Sequence, residues 1–503
     1  MIMAQEQAFD KLVCGHMAEL LKFLAESQQE GKRLDEVERG LLQRLVRFSR
    51  GALEAFVARA GDGNAGESLE QSGKLLHRSA DLHQKTYRSI FGPIAISRYV
   101  YWTRPGQKIE AAPLDARLGL PAGEPSYVLE DFVGRLATEM SYAQAVDWLK
   151  EHLGIAACVR AAETIVSKLA PHAESFQAVR DPVAASCEAE ILVVTADGKG
   201  VPMRRPLEQR LEEELGIPRH KRPHKTEYAA ATKRRSRGTP SSRKQMAYVG
   251  LVYSIAAWKR DPQDLLDEVR HAASKADRPR PQNKRHWAEM THIRDGRPSE
   301  GSRRLFAELS AHVQDRNPAE ARPVVCVMDG QRSFWDLQKT YLPQATGVLD
   351  IFHVMEKLWK AAYAFHPQGS AQAQAFVDRQ LTMLLEGKVG YVVGALRRLL
   401  KRSKLSKTGQ AGLVEAIRYF DANRDLMHYD QYLKAGYPIG SGVAEGACRH
   451  VVKDRMERTG MRWQIEGAQP ILHLRAIRLN RNWTAFIQHR ITREQAALYA
   501  SSA

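Results

Sequence analysis

Three acidic residues are set in contexts that suit metal chemistry. Asp197 closes the apolar run ILVVTAD, and Asp329 closes PVVCVMD. Glu445 follows the tight turn Gly440-Ser441-Gly442, in the first turn of a helix expected over Val443 to Arg458. Carboxylates are hard oxygen donors, matched to Mg2+ or Mn2+. Two such ions about 3.5 to 4 Å apart can activate an oxygen nucleophile and stabilise a leaving oxygen during in-line displacement at phosphorus. Two aspartates at strand ends and a glutamate on a late helix can meet at the carboxyl edge of one α/β sheet, however distant in sequence. The pattern points to phosphodiester chemistry with two divalent ions.

Each residue has a plainer reading. Asp before Gly is a common turn pair. Glu445 also suits a helix's first turn and could form an i,i+4 pair with Arg449. The shared strand context of the two aspartates favours the chemical reading. Around them, Asp350 and His353 leave the run TGVLDIF for a helix, as active-site helpers or as a structural hydrogen-bonded pair. Arg449 and Lys453 continue the Glu445 helical face, as phosphate contacts or as a solvated face. Arg462 by charge and Trp463 by stacking suit an unpaired base, with core packing the alternative for Trp463. Lys233, Arg234, Arg235 and Arg237 belong to the segment Pro218 to Lys244, which holds ten basic residues against the single acid Glu227. That segment would hold DNA phosphates or remain solvated.

The elements that must position these residues follow from periodicity. Residues 1–120 read as a helical region with a hairpin expected over Tyr87 to Trp102, around a Gly-Pro pair. Residues 121–185 read as amphipathic helices with short turns, compatible with a helix-turn-helix and equally with a helical bundle. Residues 186–370 alternate strand and helix, with a Gly-Lys-Gly turn expected directly after Asp197. Residues 371–435 read as helices with basic faces inserted into this α/β unit, and residues 436–490 as its closing part, bearing Glu445.

Bulk properties agree with a nucleic-acid enzyme. The 503 residues allow two to four domains, and 44% hydrophobic with 26% charged residues is ordinary for a folded protein. The 75 Lys and Arg against 58 Asp and Glu leave a net charge of +17, which favours a polyanionic partner. No run of 18 apolar residues and no signal-peptide pattern is present, so no membrane role and a cytoplasmic location are expected. The five scattered cysteines form no CxxC or finger spacing and are expected to be reduced.

The motifs TADGKGVPM, VMDGQRSFWDL, LDIFHVMEKLW and YPIGSGVAEGACRHVVKDRMERTGMRW, with FGPIAISRYVYW and PLDARLGL upstream, resemble the bacterial insertion-sequence DDE transposases of the ISKra type. The resemblance spans most of the chain. It implies a helical N-terminal region followed by an α/β ribonuclease H-like catalytic domain with a helical insertion. It further implies Asp197, Asp329 and Glu445 as the metal-binding triad with two Mg2+ or Mn2+ ions. The implied partners are double-stranded DNA at transposon ends and target, and further copies of the chain at the synapse. The implied reaction is end cleavage and strand transfer. A catalytically silent, transposase-derived DNA-binding protein and a structure-selective nuclease of similar fold remain the alternatives.

Overall fold

The computed structural model describes residues 2–179, 183–204, 244–270, 278–294, 297–402, 404–458 and 460–499. Lys233, Arg234, Arg235 and Arg237 therefore lie outside the described residues. The chain divides into two compact units, Met1–Ala178 with Asn482–Ala503, and Val179–Arg481.

In the first unit, the opening helical periodicity becomes a hairpin of two long helices, Ile2–Gln29 and Leu34–Arg59. Phe23 packs where Gly40 leaves room, since a Cβ at position 40 would overlap its ring. Five short strands follow: β1 (Ser68–Gln71), β2 (Lys74–Arg78), β3 (His83–Ser89), β4 (Gly92–Arg98) and β5 (Tyr101–Trp102). The order β1-β2-β5 makes one small sheet, and β3 with β4 makes an antiparallel hairpin turning at Ile90 and Phe91. The helices Tyr127–Glu139 and Tyr142–Leu153 each begin on a serine, Ser126 and Ser141, whose hydroxyl accepts the backbone N–H three residues on. The second stops at Gly154, whose φ of 69° belongs to the left-handed region. Helix Trp483–Tyr499 belongs to this unit too. Its Trp483 indole donates to Asp131 at 2.6 Å, and the buried Arg490 pairs with buried Glu130 at 2.6 Å. The sequence placed residues up to 490 with the closing catalytic block; these partners draw the helix to the N-terminal unit from Asn482 onward.

The second unit is built on a mixed five-stranded sheet. Its strands are β6 (Ile191–Pro202), β7 (Lys244–Ile255), β8 (Gln282–Met290), β11 (Val324–Met328) and β12 (Thr346–Leu349), with a small side ribbon of β9 (His292–Arg294) and β10 (Arg297–Ser299). The spatial order is β12-β11-β6-β7-β8. β7 runs antiparallel to both β6 and β8, whereas β11 and β12 run parallel to β6. All five residues of β11 are buried, the pattern of a central strand covered on both faces. The inserted region forms four helices: Ala371–Leu385, Val389–Arg402, Lys407–Ala422 and Tyr429–Ala435.

One expectation is corrected here. No turn follows Asp197: β6 runs on to Pro202, with Asp197 opposite Val249, Gly198 opposite Tyr248 and Gly200 opposite Met246. Asp197 is thus inside a strand. The glycines lie within the ladder rather than in a turn, and Gly198 is packed under the end of the Met246 side chain.

A buried ion pair ties the start of this unit to a helix that covers the sheet. Arg316, at the end of helix Gly301–Arg316, gives Nε to Glu188 Oε1 at 2.5 Å, Nη2 to Oε2 at 2.7 Å and Nη1 to the Val252 carbonyl at 3.1 Å. Burial opposes the charge of Glu188, but Arg316, Ser254 and Asn283 outweigh it and hold the carboxyl below its usual value. The stability this contributes is fully present above the ordinary glutamate value of about 4.3 and is lost as pH falls through the lower folded value. Replacing Arg316 by Met leaves a buried carboxylate without its partner. We expect a loss of about 3–5 kcal/mol, read as a lower urea midpoint at pH 7, with the difference from the parent shrinking in acid. A midpoint equal to the parent's would show that the pair does not hold the unit together.

Candidate catalytic site

The acidic residues are brought together by strand register. β6 pairs with β11 so that Leu192, Val193 and Val194 stand beside Val324, Val325 and Cys326. Continuing that register by three residues sets Asp197 beside Asp329. β11 pairs with β12 so that Met328 stands beside Leu349, which sets Asp350 beside Asp329 in turn. Continued past their last paired residues, the two registers put the three aspartates in one row on neighbouring parallel strands or just beyond their ends, and Asp329 feels the charges of both Asp197 and Asp350. Asp329 is half-buried, and its carboxyl is pushed above the usual range by burial first and then by the charges of Asp197 and Asp350. The Gln331 N–H, 2.9 Å from Asp329 Oδ1, and the nearby His353 act in the opposite direction. Asp197 Oδ1 accepts the Gly198 N–H at 2.6 Å. The Trp335 indole donates to the Asp329 carbonyl at 2.7 Å and steadies the strand end.

Asp350 has a different task from its two neighbours. Its side chain is fully buried and accepts four hydrogen bonds. Oδ1 takes the N–H of Phe352 at 3.1 Å and of Ser441 at 3.1 Å, and Oδ2 takes the Ser441 hydroxyl at 2.5 Å and His353 Nδ1 at 2.8 Å. The Phe352 bond caps helix Ile351–Ala362, and the two Ser441 bonds hold the turn that starts the Glu445 helix. Gly440 is required in that turn because a Cβ there would stand 2.7 Å from Phe352 Cε2. The half-buried His353 is pushed above its usual value by the Asp350 hydrogen bond, with burial opposing and the charges of Asp350 and Asp329 adding.

Glu445 is exposed on helix Gly442–Cys448, which packs on β6 and β7. One turn further on, the buried Cys448 faces Asp197. Burial, the Asp197 charge and a hydrogen bond to Asp197 all push its thiol up, and Glu445 adds to this. Residues Arg449–Lys453 then form a π-turn, a one-residue bulge in an otherwise helical run. The buried Arg475 donates Nε to the carbonyls of His450 at 3.1 Å and Val451 at 2.9 Å. It thereby takes up acceptors within the bulge. The ion pair with Arg449 that rivals the metal role of Glu445 is not the one seen: Arg449 lies 3.7 Å from Asp454. Arg449, Lys453 and Arg462 are exposed. Trp463 is not: it is 6% exposed, donates its indole N–H to the Met456 carbonyl at 3.1 Å and lies under the Arg455 guanidinium at 4.8 Å. Its backbone bonds to Pro202 and Arg204 extend the β6 end, so its ring serves the core rather than a stacked base. Lys199 and Lys244, the latter the last residue of the basic segment, both approach Glu457, at 3.9 Å and 2.6 Å.

Oxygen donors and mutual repulsion between half-buried carboxyls suit a hard divalent cation, which would relieve the strain felt at Asp329. The ligand set is not closed. Among the described residues, no group of three or more His, Cys, Asp or Glu side chains stands close enough to hold a metal ion. Several participants were missed in the sequence. Ser441 was hidden in a turn whose partner, Asp350, lies 91 residues earlier. Tyr419, on helix Lys407–Ala422, packs its ring against Gly330, where a Cβ would overlap it; burial and the charges of Asp329 and Asp350 push its hydroxyl up. Cys448 sits one turn after Glu445, a spacing that could have marked it as sharing that face.

Fold and site define a mixed helix and sheet unit with an acidic row at the carboxyl end of its parallel strands. Residues 267–428 match the model of a DDE transposase family, the ISL3 type, described as transposase. The transposase kinship expected from the motifs is met over that stretch, under the ISL3 rather than the ISKra name. It contains Asp329, Asp350 and His353 and excludes Asp197 and Glu445. No curated protein matches the chain. Among solved structures, the Drosophila P element transposase strand transfer complex is similar at a TM-score of 0.23 and 10% identity, over 71% of this chain and 80% of that one. At that level the likeness carries no argument. Among the described residues no helix is long and apolar enough to cross a membrane.

The Asp350 network yields a direct test. A raised histidine value means that the His353 contribution to stability is fully present below the ordinary value of about 6.5 and is lost as pH rises through the folded value. In Asp350→Asn the acceptor facing His353 and the Ser441 hydroxyl is replaced by a donor. NMR titration of the His353 ring should then show its value falling toward 6.5, with a stability loss of about 3 kcal/mol from the broken charged hydrogen bonds. An unshifted His353 titration would sink this reading of the network.

Proposed function

We propose that this chain is a DDE transposase that cuts the phosphodiester at the ends of a mobile element and joins the freed 3′-hydroxyl to target DNA. The observation that carries the proposal is a strand register that, continued past its last paired residues, brings Asp197 beside Asp329, whose carboxyl feels the Asp197 charge, within a chain whose residues 267–428 match a transposase family. The strand order, three antiparallel strands followed by two parallel ones, supports a ribonuclease H-like reading of the domain.

In this proposal Asp197, Asp329 and Glu445 hold Mg2+ or Mn2+. When bound, the ions supply activation of the attacking oxygen and stabilisation of the leaving oxygen. The chain's own residues do the rest. Asp350 and Ser441 hold the Glu445 helix against the sheet, Cys448 hydrogen-bonds Asp197, and His353 donates to Asp350 beside Asp329. Exposed Arg449, Lys453 and Arg462 contact DNA phosphates, a role shared by the basic segment containing Lys233, Arg234, Arg235 and Arg237. The +17 charge strengthens the encounter with DNA at low salt.

The catalytically silent alternative has one observation on its side, the unclosed ligand set among the described residues. Cleavage separates the two. With element-end DNA and Mg2+, the parent should cut and Asp329→Ala should lose at least about a thousandfold in rate, while both proteins bind the DNA and unfold at similar denaturant concentrations. Equal cutting by parent and variant would remove Asp329 from the chemistry. A parent that binds but never cuts, with either metal, would favour the silent binder. Cutting of branched DNA without strand transfer would instead favour a nuclease.

A further inference from the structure

Beside the Asp350 network, the second unit holds a cavity of about 290 Å3. It lies between the end of β7, helix Pro262–Val269, the start of helix Ile351–Ala362 and the segment Gly436–Gly440. The walls are mostly apolar, from Leu265, Phe352, Met355 and Ile439, with Trp258 beside them. Its size is that of the smaller ligand sites of proteins, which begin at about 300 Å3.

Three charged side chains line this space, and they do not balance: Arg260, Glu268 and Arg278. The Arg260 side chain is 6% exposed, and it gives Nη1 to Glu268 at 3.4 Å and Nη2 to the Tyr437 carbonyl at 3.2 Å. Its Nε is buried and has no acceptor among the described residues. Arg278 is exposed at the opening and pairs with no carboxylate among the described residues. Burial first, and the Arg278 charge in addition, push the Arg260 guanidinium below its usual value, against the pull of Glu268. Two guanidiniums and one carboxylate leave a single positive charge in an apolar enclosure. An anion there would relieve the repulsion and offer the Nε donor an acceptor.

We propose that this cavity binds a small aromatic monoanion, whose charged group meets Arg278 and Arg260 and whose occupancy stiffens the segment leading to Ser441. One unbalanced charge sets the ligand's charge. The ring is set by the walls: Trp258 carries the Arg260 guanidinium over it at 4.6 Å, and Phe352 is 45% exposed at the rim, where a flat apolar body would cover it. The link to Ser441 runs through the backbone. Segment Gly436–Gly440 is held by the Trp258 N–H on the Gly436 carbonyl at 3.0 Å and by the Ile351 N–H on the Ile439 carbonyl at 2.9 Å. Gly436 has a φ of 78°, and a Cβ there would stand 2.7 Å from the Trp258 nitrogen, so the segment lies close against the cavity rim. A ligand touching Pro438 and Ile439 therefore bears on the turn that Asp350 anchors.

The probe is 1-naphthoate, with 1-naphthamide as its uncharged counterpart. Calorimetric titration of the full chain at pH 7 should show saturable naphthoate binding at a single site, with naphthamide weaker by at least about tenfold. Two variants should weaken naphthoate by a similar factor: Arg278→Glu, at an exposed position, and Ala256→Trp, which fills the cavity from its wall. Saturating naphthoate should slow amide hydrogen exchange over residues 436–441. None of these readouts uses DNA, a metal or turnover, so they are independent of the proposed reaction. The proposal is overturned by an absence of saturable binding, by naphthamide binding as tightly as naphthoate, or by naphthoate binding that Arg278→Glu leaves unchanged. Saturable binding without slower exchange overturns the link to Ser441.

Discussion

The candidate site depends on the carboxyl group of Asp350. Fully buried at the end of β12, it joins the start of helix Ile351–Ala362, including the ring of His353, to the Ser441 turn 91 residues further on. Four donors converge on two oxygens, so neither oxygen is left for another ligand in this arrangement. Asp350 therefore stands in the same strand row as Asp197 and Asp329 but acts as an anchor. By fixing Ser441 it fixes where the Glu445 helix begins. A buried group with this many partners is costly to disturb in any direction, which is how one side chain can set the position of another 95 residues away.

What Asp350 leaves to its neighbours is an unbalanced charge. Asp197 and Asp329 face one another across parallel strands, and burial raises the cost of keeping Asp329 ionised. The protein offers limited relief through the Gln331 N–H and His353. The same edge receives Cys448 from the Glu445 helix and Tyr419 from the inserted helices, both with protons held more tightly than usual. The inserted helices thus contribute to the wall of the site. The π-turn over Arg449–Lys453, with its carbonyls taken up by Arg475, breaks the helical register after the Glu445 turn.

Sequence made the buried strands readable because apolar runs ending in Asp are short-range signals, and the inserted helices readable because their periodicity is local. Register was not readable. Whether Asp197 ends a strand or lies within it depends on pairing with Val249, and the Gly-Lys-Gly that looked like a turn is a stretch where pairing continues. For Trp463 the sequence leaves stacking on a base and core packing both open, and its ring is fixed by contacts with Arg455 and Met456 that no spacing rule marks. Asp350 and His353 were recognised as neighbours through the i,i+3 spacing; the third member, Ser441, required the fold.

The central claim is that the adjacent carboxyls of Asp197 and Asp329 are built to accept a divalent cation once Asp350 has set the site. Calorimetric titration of the full chain with Mn2+ tests this without reference to DNA or turnover. The account predicts saturable binding to the parent, weakened at least about tenfold by Asp197→Asn and by Asp329→Asn, each equivalent to about 1.4 kcal/mol or more. Binding that is as tight in both variants as in the parent would contradict it.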